Sequence, residues 1–456
     1  MTARCLEKLA ATDWPREQLD LVLVDNGSTD DSVASACAAV PKVSVIQNGA
    51  NLGFVGLNSA LRNLDDNIAY VALINNDAFV EPGWLEPLVD ALQSDPALGA
   101  TSARMVFAPK FQEIALEAQT RRAPGDSRDL GVQLHDVETA LGSVFGSSQY
   151  PRGWWGLEGS DNDSFRWSAG DAVLRAAVPP DQETAESTVT IEVSAPRQTD
   201  ITISSNAATR SVTVGPERTR ISIPVDGTGF DVINNAGSVW IDDGHGADRG
   251  FMAIDESQYD TPADIFNWCG GAVLLRREYL DEVGVLDDRL FLYYEDADLS
   301  WRGKLAGWNY RYVPDSMVRH EHAATSVAGS DVFEFYVERN RLMVTIMNGP
   351  WWMIERAFKT FILDLKNLVL GNVIAPLRHG RRPQLRQLRN RLRSLGSLVR
   401  MMPGTLRARR LRRGRAVATD DELSQYWLSS SEWAAHERSI KDSAGRSATR
   451  AGSAGR

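Results

Sequence analysis

The chain of 456 residues is 43% hydrophobic and 24% charged, with 36 Gly and 19 Pro. It can hold two or three domains with a substantial core, and it is neither collagen-like nor wholly disordered. Its three cysteines, Cys5, Cys37 and Cys269, are too scattered for a disulfide framework or a zinc cluster, which points to a reducing compartment. Of the net charge of −11, the stretch 376–415 supplies 14 arginines and no carboxylate, so the remainder carries −25. An acidic body with a basic stretch suits a partner with a negative surface, an anionic membrane or a nucleic acid. No apolar run reaches about 18 residues, and the N-terminus has no apolar core of the signal-peptide kind. The chain reads as cytoplasmic, with no transmembrane helix expected.

The first stretch alternates strands and helices. LDLVLVD (19–25) is an apolar run ending in the turn and helix cap DNGSTDDS, and a small-residue helix follows over 31–39. VSVIQN (43–48) reads as a second strand, NSALRNL (58–64) as part of a second helix, and IAYVALINND (68–77) as a third strand running into an acidic loop. Strands spaced by helices predict a parallel sheet with ligands beyond the carboxyl ends of its strands, where Asp25, Asn26, Asn76 and Asp77 fall. From about 160 to 228 the pattern becomes short alternating runs with turns every ten residues or so, which predicts a small antiparallel sheet or sandwich. The strand–helix pattern resumes at CGGAVLLRREYLDEVG (269–284), so the β-rich segment is expected to be an insertion. The last hundred residues read as mostly helical. In 384–402, Leu385, Leu388, Leu392, Leu395, Val399 and Met402 recur at spacings of three and four with arginines between them. Such a basic amphipathic helix lies on anionic membranes, or else packs on the body with its basic face in water. Little aromatic interleaving in this segment argues against nucleic acid.

Three clusters could carry chemistry. Asp77, at the end of a buried strand and flanked by Asn75 and Asn76, can hold a hard divalent cation that keeps positions for phosphate oxygens, though the same residues also make a good turn. Glu295, Asp296 and Asp298 follow the hydrophobic LFLYY; a carboxylate there suits general-base work, and acids also favour a helix N-terminus. His320 and His322 flank Glu321, and one of them could join Asp77 on a metal.

The order of these pieces resembles the inverting, nucleotide-sugar-dependent glycosyltransferases of family 2, in particular bacterial rhamnosyltransferase-like and galactofuranosyltransferase-like members. The resemblance rests on VDNGSTDDS (24–32), NLGFVGLNSAL (51–61), LINNDAFVEPGWL (73–85), 269–326 and VERNRL (337–342). It implies the GT-A fold, a mostly parallel sheet flanked by helices, here with an inserted small β-sandwich-like domain and a helical C-terminal region. The expected divisions are a nucleotide-sugar-binding half (1–150), the insert (151–230), an acceptor and catalytic half (231–345), a basic membrane-associating helical region (346–438) and a disordered tail (439–456). The resemblance places Asp25, Asn26, Asn51, Gly53, Asn58, Asn76 and Asp77 at the donor. It makes Asp296 the general base beside Glu295, puts Asp77 with His320 or His322 on Mg2+ or Mn2+, and brings Arg339 and Arg341 to a diphosphate or the acceptor. Asn75 stands where the family has an acid. The family's usual opening strand, ahead of the helix ARCLEKLAA, is not seen before that helix. The expected activity is sugar transfer from a nucleotide-diphosphate donor to a lipid-linked glycan acceptor in cell-wall or surface polysaccharide synthesis, on the inner face of the plasma membrane. The alternative is a non-catalytic carbohydrate-binding scaffold that keeps the fold.

Overall fold

A computed structural model describes residues 1–123, 126–159, 163–180, 187–227, 229–321 and 330–443. The chain divides into two units, one formed by 1–106, 233–251 and 256–433 and the other by 107–232, 252–255 and 434–456.

The first unit opens with helix α1 (Thr2–Ala10), strand β1 (Val22–Asp25), α2 (Ser32–Ala39), β2 (Ser44–Gln47), α3 (Asn58–Leu61), β3 (Tyr70–Ile74), β4 (Ala78–Val80), α4 (Leu85–Ser94) and β5 (Leu98–Phe107). β1 and β2 pair in parallel, Val22 opposite Ser44 through to Asp25 opposite Gln47. α4 buries Leu85, Leu88, Val89 and Leu92. Their spacing of three and four puts one apolar stripe on the core, where Leu98, Met105, Leu274 and Val318 meet it.

The second unit holds β6 (Lys110–Ala118), β7 (Gln133–Thr139), β8 (Gly142–Ser143), β9 (Gln149–Glu158), β10 (Phe165–Val178), β11 (Ser187–Ser194), β12 (Thr199–Ser204), β13 (Thr209–Val214) and β14 (Thr219–Val225). They form one sheet in the order β13-β12-β6-β10-β7-β11-β14, with β9 beside β10 and β8 beside β7. Neighbours run antiparallel, as in β10 against β6 and β11 against β14. In β12, Thr199, Ile201 and Ile203 are buried and alternate with more exposed residues, the period of two that the sequence displays. The β-rich unit begins at Phe107, well before the expected boundary at 151. The strands before Phe165 carry charged and aromatic residues that blur the alternation.

The first unit resumes with β15 (Ile233–Asn235), β16 (Ser238–Ile241), β17 (Gly246–Asp248), β18 (Ala263–Asp264), β19 (Ala272–Arg276), α5 (Arg277–Val283), α6 (Glu295–Ala306) and β20 (Asn309–His320). It continues through α7 (Asp331–Asn348), α8 (Trp351–Val369), a π-helical turn over Leu370–Ile374, α9 (Ala375–Arg378), α10 (Arg386–Gly414), α11 (Asp420–Ser424) and β21 (Trp427–Leu428) to the first residues of α12 (Ser430–Ser443), which from 434 onward is counted with the second unit. The main sheet has the order β18-β20-β5-β19-β3, with β15 beside β5 and β4 beside β20. β19 is antiparallel to both β3 and β5. The expectation of a mostly parallel sheet is therefore corrected. β3 and β5 run the same way, but β19 enters between them from the other direction, and apolar runs carry no sign of strand direction. The tail expected to be disordered begins as the end of α12, and its residues beyond 443 lie outside those described.

α7 and α10 pack along each other. α10 buries Asn390, Ser394, Leu398, Thr405 and Arg409, whereas Leu385, Leu392, Val399 and Leu406 are exposed. α10 therefore packs on the body, as the alternative reading had it: Leu398 is in the core and Leu395, Met401 and Met402 lie against it, while Leu385, Leu392, Val399 and Leu406 face outward with arginines beside them.

Candidate active site

At the end of β1 the Asp25 carboxylate accepts the amides of Gly27 (3.2 Å) and Ser28 (3.1 Å). Hydrogen bonding from Ser28, then from Gly27, holds its carboxyl below the usual range. The Asn26 amide donates to the Gly53 carbonyl (2.7 Å) and its Oδ1 accepts from Asn48 (2.8 Å), tying the strand end to the loop 51–57. Asn51 caps this loop by accepting the Gly53 amide at 2.9 Å. Gly53 has φ +68°, and a Cβ there would stand 2.1 Å from the Phe291 carbonyl oxygen. Only glycine fits that close approach, and it brings the donor-side loop onto the segment that carries Asp296. Asn58 belongs elsewhere. It is buried, donates to the Leu286 carbonyl (2.9 Å) and Asp288 (2.6 Å) and accepts the Leu286 amide (3.1 Å). It braces the chain rather than lining a donor pocket. Asn76 is exposed and reaches the Thr2 hydroxyl at 3.2 Å.

Asp77 and His320 are brought together by the pairing of β4 with β20, in which Ala78 stands opposite His320. Asp77 Oδ1 is 3.1 Å from His320 Nε2, and His320 Nδ1 is 3.1 Å from Asn234 Oδ1. With Nδ1 donating to Asn234, Nε2 is left facing the carboxylate. Two cis ligands about 2.1 Å from a divalent cation stand roughly 3 Å apart, so the pair fits such an ion. Among the described residues no group of three His, Cys, Asp or Glu side chains is placed to hold a metal. Asn75 holds the turn through its backbone, its amide on the Gly271 carbonyl (3.1 Å). His322 lies outside the described residues.

Before α6 the backbone is strained. Phe291, Tyr293 and Tyr294 have φ near +67°, a conformation that costs side-chain-bearing residues energy and persists only when the surroundings enforce it. Asn340 supplies that enforcement, its amide reaching the carbonyls of Leu290 (2.8 Å), Leu292 (2.9 Å) and Tyr293 (2.7 Å). Arg339 donates to the carbonyls of Arg289 (3.0 Å) and Leu290 (2.9 Å). Arg341 is fully buried, on Glu338 (3.1 Å) and the Asp243 carbonyl (3.1 Å). The two arginines expected at a diphosphate are thus interior braces, because α7 turns this face into the core.

Asp296, half-buried, accepts the Gly270 amide at 3.0 Å and that of Ala297 at 2.7 Å. Burial raises its carboxyl despite these bonds. A Cβ on Gly270 would press on Phe54 and Asp296, so this glycine lets strand-end backbone reach the acid. Glu295 is buried, with Oε2 unpartnered. Burial, then the charge of Asp296, push its carboxyl well up, so it suits a neutral acid behind Asp296. Asp298 is structural, held by Arg302 (2.9 Å), Arg412 (2.6 Å) and Asn348 (3.0 Å).

Sequence reasoning missed Asp248, on β17. Its Oδ1 accepts from Asn235 (2.7 Å) and Ser238 (2.9 Å). Burial pushes its carboxyl up to about 6, helped by the charge of Asp296 and opposed by Ser238, Asn235 and His320. It stands in the same field as the expected base and the expected metal ligand. NNAGS (234–238) and GADRG (246–250) have the look of ordinary turns, and no spacing marks them.

A family model described as "Glycosyl transferase family 2" matches residues 1–143. The N-acetylglucosaminyl-diphospho-decaprenol L-rhamnosyltransferases of two Mycobacterium tuberculosis strains are 34% identical over 89 residues, 19% of this chain and 28% of theirs. The match thus spans little more than a quarter of those relatives' length. Among solved structures, GalNAc-T7 with UDP, GalNAc and Mn2+ aligns over 78% of this chain and 46% of its own, at 11% identity and a TM-score of 0.40. The mannosyltransferase PcManGT from Pyrobaculum calidifontis, in complex with GDP-Man and Mn2+, aligns over 96% and 79%, at 14% identity and 0.36. Neither likeness is close enough to carry a conclusion. The site loops from Asp25 to Asp77 fall within the matched stretch, and the match to the glycosyl transferase family 2 model ends at residue 143.

Proposed function

We propose that the protein is an inverting GT-A glycosyltransferase that moves a sugar from a nucleoside-diphosphate donor to a lipid-linked glycan in cell-wall or surface polysaccharide synthesis. The observation that carries this is Asp296, a half-buried carboxylate of raised basicity on a strained loop that meets the donor-side loop at Gly53. In the reaction, the acceptor hydroxyl attacks the anomeric carbon as the bond from that carbon to the diphosphate breaks, its electron pair leaving with the diphosphate. Asp296 takes the hydroxyl proton, and attack opposite the leaving group inverts the centre. Asp25 and the loop from Asn51 to Gly53 hold the nucleoside end. Asp77 and His320 would hold Mg2+ or Mn2+, which supplies neutralisation of the leaving diphosphate's charge. The relatives' printed name supports a polyprenyl-diphosphate-linked acceptor, and with it a peripheral position on the cytoplasmic face of the plasma membrane.

The test is Asp296→Asn, which keeps shape and removes basicity. Turnover should fall about 100-fold or more while donor affinity holds. A variant keeping more than about a tenth of the parent's turnover removes Asp296 from the role. Asn75, in place of a second acid, favours one other reading, a sugar-binding scaffold. The scaffold would bind nucleotide sugars with manganese and neither hydrolyse nor transfer them.

A further inference from the structure

The helix Trp351–Arg378 is long and apolar enough by composition to cross a membrane, and only 6% of its most apolar 18-residue stretch is buried. Its two halves differ. Met353, Ile354, Ala357 and Phe361 are buried in the core with Trp301 and Leu398, so the first half belongs to the folded body. From Ile362 to Leu377 the helix exposes Ile362, Leu363, Leu370 and Leu377. These 16 residues span roughly 24 Å, too short to cross the ~30 Å hydrocarbon core of a bilayer. Gly380, at φ +65°, then turns the chain. The Gln384 amide reaches the Asn372 carbonyl (2.8 Å) and Asn372 bonds Gln387 (3.0 Å), closing a hairpin between the end of α8 and the start of α10. At its tip Leu370, Leu377 and Leu385 are 45, 57 and 53% exposed, and Arg378, Arg381 and Arg382 are exposed beside them. Along α10 the exposed Leu385, Leu392, Val399 and Leu406 recur every seven residues, each followed by an exposed arginine, Arg386, Arg393, Arg400 and Arg407.

We propose that this hairpin, from Ile362 to Leu392, is a monotopic docking surface for an anionic lipid bilayer, its leucines entering the acyl boundary and its arginines meeting the headgroups. The one carboxylate of the hairpin is Asp364, near Arg391, Arg386 is paired with Asp331 and Glu334 of α7, and no carboxylate occurs from 365 to 419, so the tip is purely basic. A symmetric contact between two copies would therefore set like charges against each other, whereas an anionic leaflet complements them. The assignment rests on the membrane-side acceptor of the proposed function and names the surface that reaches it.

The full chain is floated with vesicles of phosphatidylcholine alone and of phosphatidylcholine with an equal amount of phosphatidylglycerol. Two variants are compared, Leu370→Gln with Leu377→Gln and Leu385→Gln, and Arg381→Ala with Arg382→Ala. All these positions are exposed, and thermal melting checks that the fold is kept. The parent should bind the anionic vesicles; the leucine variant should bind at least tenfold more weakly and the arginine variant on the order of twentyfold more weakly at low salt. Equal binding by parent and variants overturns the surface assignment and leaves the membrane reading standing. Failure of the parent on both vesicles overturns both. Concentration-dependent dimers in sedimentation that the leucine variant abolishes would reassign the face to a second copy.

Discussion

Single residues decide what this site can do through their partners. Asp77 has His320 on one oxygen and no acid at position 75 to replace it. Asp77→Ala should therefore abolish the gain in donor affinity that manganese confers. Titrating donor with and without manganese checks this, and an unchanged manganese effect would take Asp77 out of the site. Asp248 is testable through stability. Its carboxyl titrates near 6 in the fold against an ordinary value of 3.8, with burial the main cause. The folded state then binds the extra proton between about pH 4 and 6, so this group's contribution falls as pH rises through that window and is flat above it. Asp248→Asn should remove that slope from the parent-minus-variant difference in unfolding free energy. A difference constant from pH 4 to 7 would mean that Asp248 is not perturbed. Asp77 could be singled out because it sits at a predicted strand end, and Asp296 because it follows LFLYY beside a predicted helix; His320 entered as a candidate beside them. Asp248 could not be, since its importance comes from Asn235 and Ser238 thirteen and ten residues earlier, folded against it.

At the scale of elements, the segment from Leu290 to Tyr294 is the part most dependent on its neighbours. Three left-handed non-glycine residues are held by one fully buried side chain, Asn340. Asn340→Ala takes the amide from the Leu292 and Tyr293 carbonyls and leaves that of Leu290 to Arg339; it should cost roughly 2–4 kcal/mol, read by urea unfolding. Turnover should fall as well, because Asp296 depends on the loop. If stability drops and turnover does not, the strained path is dispensable for the base. VERNRL was recognisable in the sequence, yet its arginines were assigned to a ligand. A charge pattern on a helix does not say which face turns inward, and here α7 turns its charges inward. The stripe on α10 left its own direction open for the same reason. Spacings of three and four define a face, but packing chose the face of Asn390, Ser394 and Arg409 for burial.

Across the whole first unit, the basic C-terminal stretch proves to be partly a structural strap. Arg409 donates to the carbonyls of Ile346 and Gly349, both at 2.7 Å. Arg412 joins Asp298 (2.6 Å) and Asp287 (2.7 Å), and Arg413 joins Asp420. Against the raising effect of burial, Arg289 and Arg412 hold the Asp287 carboxyl at about 2. Its stabilisation is therefore present above about pH 4 and lost as pH falls through 2. Arg412→Ala removes one partner from the fully buried Asp298 and should cost about 3–5 kcal/mol, again read by urea unfolding. A loss below 1 kcal/mol would mean that Arg302 and Asn348 suffice. A chain ending at Ala375 should be strongly destabilised for the same reason, so membrane binding has to be probed by exposed substitutions. By itself the sequence determined the alternation of strands and helices, the antiparallel β-rich stretch, the family resemblance and the acids that are candidates for chemistry. Each of these is written in local periodicity or in a contiguous motif. Only the tertiary structure decided the antiparallel entry of β19, the recruitment of Asp248, the burial of Arg339 and Arg341, and the outward face of α10. Those are choices among partners far apart in the chain, made by packing and desolvation, and no window of sequence contains them.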